Sequence, residues 1–138
     1  LPRAQDTQKL ALPGFDAAIT PLVREIDEGN LTGTSIKDAA QKYGREFMIK
    51  RDYTDFDGET AAQVKERVEQ FLKFIETGSA KTSIVFAHKG TTYTMIEIAV
   101  KGDYDRTALE SVNCGIHIFK FDGRNWRLVC WNYMYKLN

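Results

Sequence analysis

The chain has 138 residues, the length of one ordinary domain and enough for a single substantial core. Hydrophobic residues at 43% and charged residues at 28% are globular proportions and exclude a disordered chain. Nineteen basic and nineteen acidic residues cancel, which argues against a nucleic-acid or membrane surface read from net charge; a local basic pocket stays compatible with it.

Two cysteines, Cys114 and Cys130, are too few for a disulfide scaffold and lack CxxC spacing. The expectation is two reduced core thiols, with a bridge between neighbouring strands as the alternative. No run approaches the ~18 apolar residues that span a bilayer, and no signal peptide is visible. A cytoplasmic protein is the expectation. The chain opens with "LPRAQDT" and has no initiator Met, so it reads as an excised piece, a processed product or part of something longer.

Residues 2–12 read as a helix, with Pro2 in its first turn and Pro13-Gly14 as its stop. "AAITPLVREID" (17–27) reads as a short strand that Pro21 demotes to a sheet edge, because proline cannot donate to a ladder. "EGNLTGT" (28–34) is loop. "SIKDAAQKYG" (35–44) predicts a helix capped by Ser35, closed by Gly44, with Ile36, Ala39, Ala40 and Tyr43 on one face.

"REFMIKRDYTDFDG" (45–58) has no clean period and reads as an ordered loop holding three aromatics, Phe47, Tyr53 and Phe56. The clearest helix follows: Thr60 and Gln63 form a capping box, and Val64, Val68, Phe71, Leu72 and Ile75 recur with helical spacing until Gly78. Ser83 to Ala87 is a continuous apolar run, the signature of a strand buried on both faces. Residues 91–100 read as helix, and "GDYDRTALES" (102–111) as loop with one helical turn. "NCGIHIFKF" (113–121) and "NWRLVCWNYM" (125–134), joined by "DGR", predict an antiparallel hairpin. Helices alternating with buried strands imply an α/β class.

His88 then stands at the carboxyl end of a predicted strand, directly before a helix, which is where ligands bind in open α/β sheets. The helix start would aim free N–H groups and its positive dipole end at the same spot, and Lys89 adds a cation. An imidazole there could donate to phosphate oxygens, act as acid or base, or be a nucleophile. It could equally be hydrogen-bonded at a strand end and nothing more. Arg3, in the first turn of a helix, could grip a phosphate bidentately. Glu25, entering a glycine-containing loop, could be a general acid. Taken singly, each is more often surface charge.

In order and spacing these segments resemble the histidine phosphatase superfamily, the phosphoglycerate-mutase-like proteins, over nearly the whole chain. "LPRAQDT" resembles its Ser-x-Leu-x-Arg-Ala-x-x-Thr segment, and "REIDEGNLTG" its Leu-x-Glu-x-x-x-Gly-x-x-x-Gly segment. "DGETAAQVKERV" resembles its Gly-Glu-Ser/Thr helix start, "SIVFAHKG" its strand ending in His-Gly-Gly, and "NCGIHIFKFDGRNWRL" its C-terminal hairpin. The resemblance implies one domain over 1–138 with a three-layer sandwich, its mostly parallel sheet incomplete and flanked by helices. It implies that His88 contacts the transferring phosphoryl group, Arg3 grips it, and Glu25 protonates the leaving oxygen, with no cofactor and no metal. Phosphate binding would then fall to Arg3, His88 and Lys89.

Two departures stand out. Lys89 occupies a position where the family usually has Gly. The family's nucleophile lies in an Arg-His-Gly segment, and these residues contain none; the remaining histidine, His117, sits mid-strand and reads as a satisfied strand residue. The leading expectation is a metal-independent phosphomonoester phosphatase whose phosphohistidine is on an absent segment. Short spacing between Leu31 and Asp57 favours it over a phosphomutase. The others are a non-catalytic relative keeping an anion pocket for binding or assembly, and an unrelated ligand-binding domain. Expected partners are a phosphorylated small molecule or a phosphoprotein, with a complementing segment or a second copy filling the sheet.

Overall fold

The strongest local signal becomes the longest element. In the computed structural model, which describes residues 1–102 and 106–134, helix α4 runs Ala61–Thr77. Thr60 Oγ1 accepts from Gln63 N–H while the Gln63 side chain accepts from Thr60 N–H, a reciprocal cap worth about 1 kcal/mol. Its apolar stripe of Val64, Val68, Phe71 and Leu72 is buried as the spacing predicts. Helix α1 is Pro2–Ala11, and α2 is Ile36–Tyr43 with Ser35 accepting from Asp38 N–H. Gly44 ends α2 at φ +86°, a left-handed value that glycine adopts without a Cβ clash. Ala39 is buried on the predicted face, whereas the Ile36 side chain lies outside the described residues.

The stretch 45–58 is more regular than its sequence suggests. It holds helix α3, Arg45–Lys50, and a 3₁₀ turn, Thr54–Phe56. A six-residue helix is too short to display a period. Tyr43, Phe47, Tyr53 and Phe56 pack on one another at ring separations of 5.0–5.6 Å, mostly edge to face. These rings are packing, and they carry the chain from α2 into α4.

Two expected strands are absent. Residues 17–27 hold only a 3₁₀ turn, Pro21–Val23, which Thr20 caps by accepting from Leu22 N–H. The carbonyls a ladder would use are taken by side chains: Arg67 donates to Leu22, Arg24 and Glu25, and Thr91 to Val23 and Arg24. Residues 83–87 are also not a strand. Val85 and Ala87 pack against the core, but Ile84 is 67% exposed, so the run is not buried on both faces. A strand exists only when a neighbour pairs with it, and among the described residues none runs beside this segment.

The remaining sheet is the hairpin, β1 (Ile116–Phe121) against β2 (Trp126–Tyr133), antiparallel as predicted. Asp122 Oδ1 accepts from Arg124 and Asn125 N–H, and Gly123 supplies φ +91° at the turn. Trp126 Nε1 donates to Glu76 Oε1 at 2.6 Å, pinning the hairpin to α4. Mixed helix and strand content with this hairpin fits an α/β fold. Helix α5, Lys89–Val100, packs on both α4 and β2. The core joins Val23, Ile26, Leu31 and Tyr53 to the α4 stripe, and Ile96 of α5 is almost fully buried. Both cysteines are free, but Cys114 is exposed in the turn before β1, so it is not a core thiol. No helix among the described residues is long and apolar enough to cross a membrane.

Candidate active site

Helix α5 begins at Lys89, two residues earlier than its period suggests, and His88 is its N-cap residue. The His88 carbonyl accepts from both the N–H and the hydroxyl of Thr92, at 2.9 and 3.0 Å. Its imidazole makes no capping bond, so it is left available beside the helix start. Burial pushes its pKa down, and the positive charge of Arg3 adds to that effect. Glu25 acts on the same ring in the opposite sense. Arg3 and Glu25, far apart in sequence, thus both act on the His88 ring.

Glu25 is tied directly to the helix. Its Oε2 accepts from Gly90 N–H at 3.0 Å, and its Oε1 accepts from Ile26 N–H at 3.0 Å. Thr91 Oγ1, one residue further on, holds the Arg24 carbonyl at 2.9 Å. The first turn of α5 therefore grips residues 23–25 by backbone and side chain together. Gly90 makes this approach possible: a Cβ there would lie 2.0 Å from Glu25 Oε1 and 2.7 Å from Arg51 Nη2. Lys89 is exposed, with its ammonium 5.6 Å from the Tyr93 ring.

Arg51 is a residue that sequence reasoning missed. Its Nη2 lies 3.6 Å from Glu25 Oε1, its side chain is 16% exposed, and its Nη1 is buried with no hydrogen-bond partner among the described residues. Burial lowers the guanidinium pKa, nearby Arg106 lowers it further, and Glu25 partly offsets both. Arg51 also takes a left-handed backbone conformation, φ 49°, at the end of α3, unusual for a residue with a Cβ. Its only sequence signal is a basic pair, "KR", inside a stretch without period.

Glu59, directly before the Thr60 cap of α4, is held in a structural network. It accepts from Asp27 N–H and pairs with Arg67 and Arg24. Burial pushes its carboxyl up, but the Arg67 and Asp27 hydrogen bonds and the two arginine charges outweigh burial and hold it low. His117 is likewise satisfied: Nδ1 accepts from Asn132 N–H at 3.1 Å and the ring lies 3.9 Å from that of Trp131. Among the described residues no group of three or more His, Cys, Asp and Glu is placed to hold a metal ion.

A family model described as the histidine phosphatase superfamily (branch 1) matches residues 1–134. The chain belongs to that superfamily. Membership supports a phosphoryl-transfer function and agrees with the order of motifs in the sequence. A 61-residue stretch is also 34% identical to the CCA-adding enzyme of Geobacillus kaustophilus (strain HTA426), covering 44% of this chain and 15% of that protein. The match spans about a seventh of that relative and adds nothing to the reading of the site.

Proposed function

We propose that this chain carries the phosphate-binding half of a phosphoryl-transfer centre in a metal-independent phosphomonoester phosphatase. His88 donates to the phosphoryl oxygens, Arg3 grips them, Lys89 adds positive charge, and Glu25 protonates the leaving oxygen. The nucleophilic histidine comes from a segment outside these 138 residues, which contain no Arg-His-Gly. The substrate is a phosphorylated small molecule or a phosphoprotein. A strand supplied from outside, pairing along residues 83–87, would complete the parallel sheet and sandwich of the superfamily.

The observation that carries this reading is the meeting of charges at His88. Arg3 and Glu25 both act on its imidazole, which stands at the start of a twelve-residue helix. Helix starts favour anions through unpaired N–H groups and the dipole. An anion bound there would favour the imidazolium and raise the His88 pKa, opposing burial and Arg3. Inorganic phosphate or vanadate, titrated while His88 imidazole proton resonances are followed by NMR, is expected to move them downfield, toward the charged form, at millimolar concentration. Resonances that stay still under those conditions would remove the anion site and the reading with it.

A further inference from the structure

Two donors stand at the start of α5, and one carboxylate already faces both. Glu25 Oε2 takes the Gly90 N–H at 3.0 Å, and Glu25 Oε1 faces Arg51 Nη2 at 3.6 Å. This is the bonding a phosphate oxygen makes at a helix start. The residue proposed above as the acid therefore sits on a donor that the phosphoryl group also needs.

From this juxtaposition we infer that Glu25 is a resident anion on the α5 N-terminus, and that phosphate binds by exchange with it. The incoming oxygen takes the Gly90 N–H, and the Glu25 carboxylate swings off it. The inference rests on the phosphate-site reading and states how that site is regulated.

Two further observations support exchange over simple addition. Gly90 is buried, a Cβ there would lie 2.0 Å from Glu25 Oε1, and its N–H already goes to Glu25 Oε2, so the donor an incoming oxygen needs is held by the carboxylate. Beside it, Arg51 Nη1 is buried and has no hydrogen-bond partner among the described residues. A buried donor without an acceptor is costly, and an anion seated at Gly90 could reach that guanidinium.

The test is inorganic phosphate binding to the 138-residue chain, followed at the Gly90 amide and the Glu25 side-chain carboxyl carbon by NMR, with Glu25→Gln and Glu25→Ala alongside. A unit negative charge roughly 5–6 Å from a doubly charged phosphate costs about tenfold in affinity in a water-like dielectric. Both variants are expected to bind phosphate about tenfold tighter than the unaltered chain. In the unaltered chain the Gly90 and Glu25 signals should move with one midpoint, a readout that stands even where a variant folds poorly. Phosphate that binds the unaltered chain while Glu25 stays unmoved, or binds the variants no tighter, overturns exchange and leaves the anion site intact. Binding to none of the three chains overturns both.

Discussion

Arg67→Met is the substitution that most directly tests how the site is held. Arg67 reaches from α4 to the Leu22, Arg24 and Glu25 carbonyls at 3.0, 2.8 and 3.2 Å, and to both Glu59 oxygens at 3.2 and 3.1 Å. Its side chain is 12% exposed and that of Glu59 16%, so water cannot fully replace these bonds. Methionine keeps the stem and removes every donor. Breaking one side of a buried pair typically costs 3–5 kcal/mol. Here Arg24 still reaches Glu59 at 2.9 Å and Thr91 still holds the Arg24 carbonyl, which moves the expectation to the low end, about 3 kcal/mol. Against a typical stability of about 5–15 kcal/mol that is a large loss. Urea unfolding at neutral pH measures it, and a cycle with Glu59→Gln should show coupling of about 1–3 kcal/mol. The folded Glu59 carboxyl lies below its unfolded value, so its contribution is present above ordinary carboxylate pKa values and is lost as pH falls through the folded one. Arg67→Met should flatten that acid limb. A loss under about 1 kcal/mol, with strict additivity, would refute the idea that this guanidinium stands in for a ladder.

Two further outcomes follow from the site. Burial and then Arg3 depress the His88 pKa, so Arg3→Gln should raise it in an NMR titration, and an unchanged value would separate Arg3 from the site. Because the neutral imidazole is favoured in the fold, its contribution is present above the ordinary histidine value and fades as pH falls through the folded one; Arg3→Gln should narrow that window. The 138-residue chain should not turn over an aryl phosphate above background, alone or with His88→Ala or His117→Ala, because covalent transfer needs an in-line nucleophile and His117 is engaged by Asn132. Turnover abolished by His88→Ala, with acid-labile phosphate trapped on residue 88, would make His88 the nucleophile and refute the proposed roles.

Elements with local causes were legible. Ser35 and Thr60 announce helix starts, Gly44 and Gly78 mark ends, and Asp122-Gly123 makes the hairpin turn; each acts within a few residues of itself. The two predicted strands failed for the opposite reason. An apolar run such as 83–87 has strand character, but pairing depends on what lies beside it, and that is a property of the fold. Among the site residues, His88 and Glu25 could be singled out from motif order, and Arg3 with them. Arg51 could not, since its place beside Glu25 and Gly90 is made by residues far from it in sequence. The sequence also marks Lys89 as a departure from the family's usual glycine. The close approach falls instead on Gly90, the second glycine of the family's His-Gly-Gly pattern, which this chain retains.

The loss of the expected strands changes what positions the site. In a parallel sheet, ladder bonds would hold residue 25 at a strand end. Here Arg67 and Thr91 take the carbonyls of residues 22–25, and Gly90 takes the Glu25 carboxylate. Arg67 stands on α4, Thr91 and Gly90 on α5, and these helices pack on each other. Glu25 and His88 are thus fixed to the same helix pair without a shared sheet. Side-chain donors can do this because each carbonyl needs one good partner, not a strand. The arrangement also leaves the backbone of residues 83–87 uncommitted: none of its N–H groups donates to another backbone group in the described residues, while Val85 and Ala87 already face the core. A strand pairing along this segment would therefore add its ladder without disturbing the contacts that bring Glu25 to the start of α5.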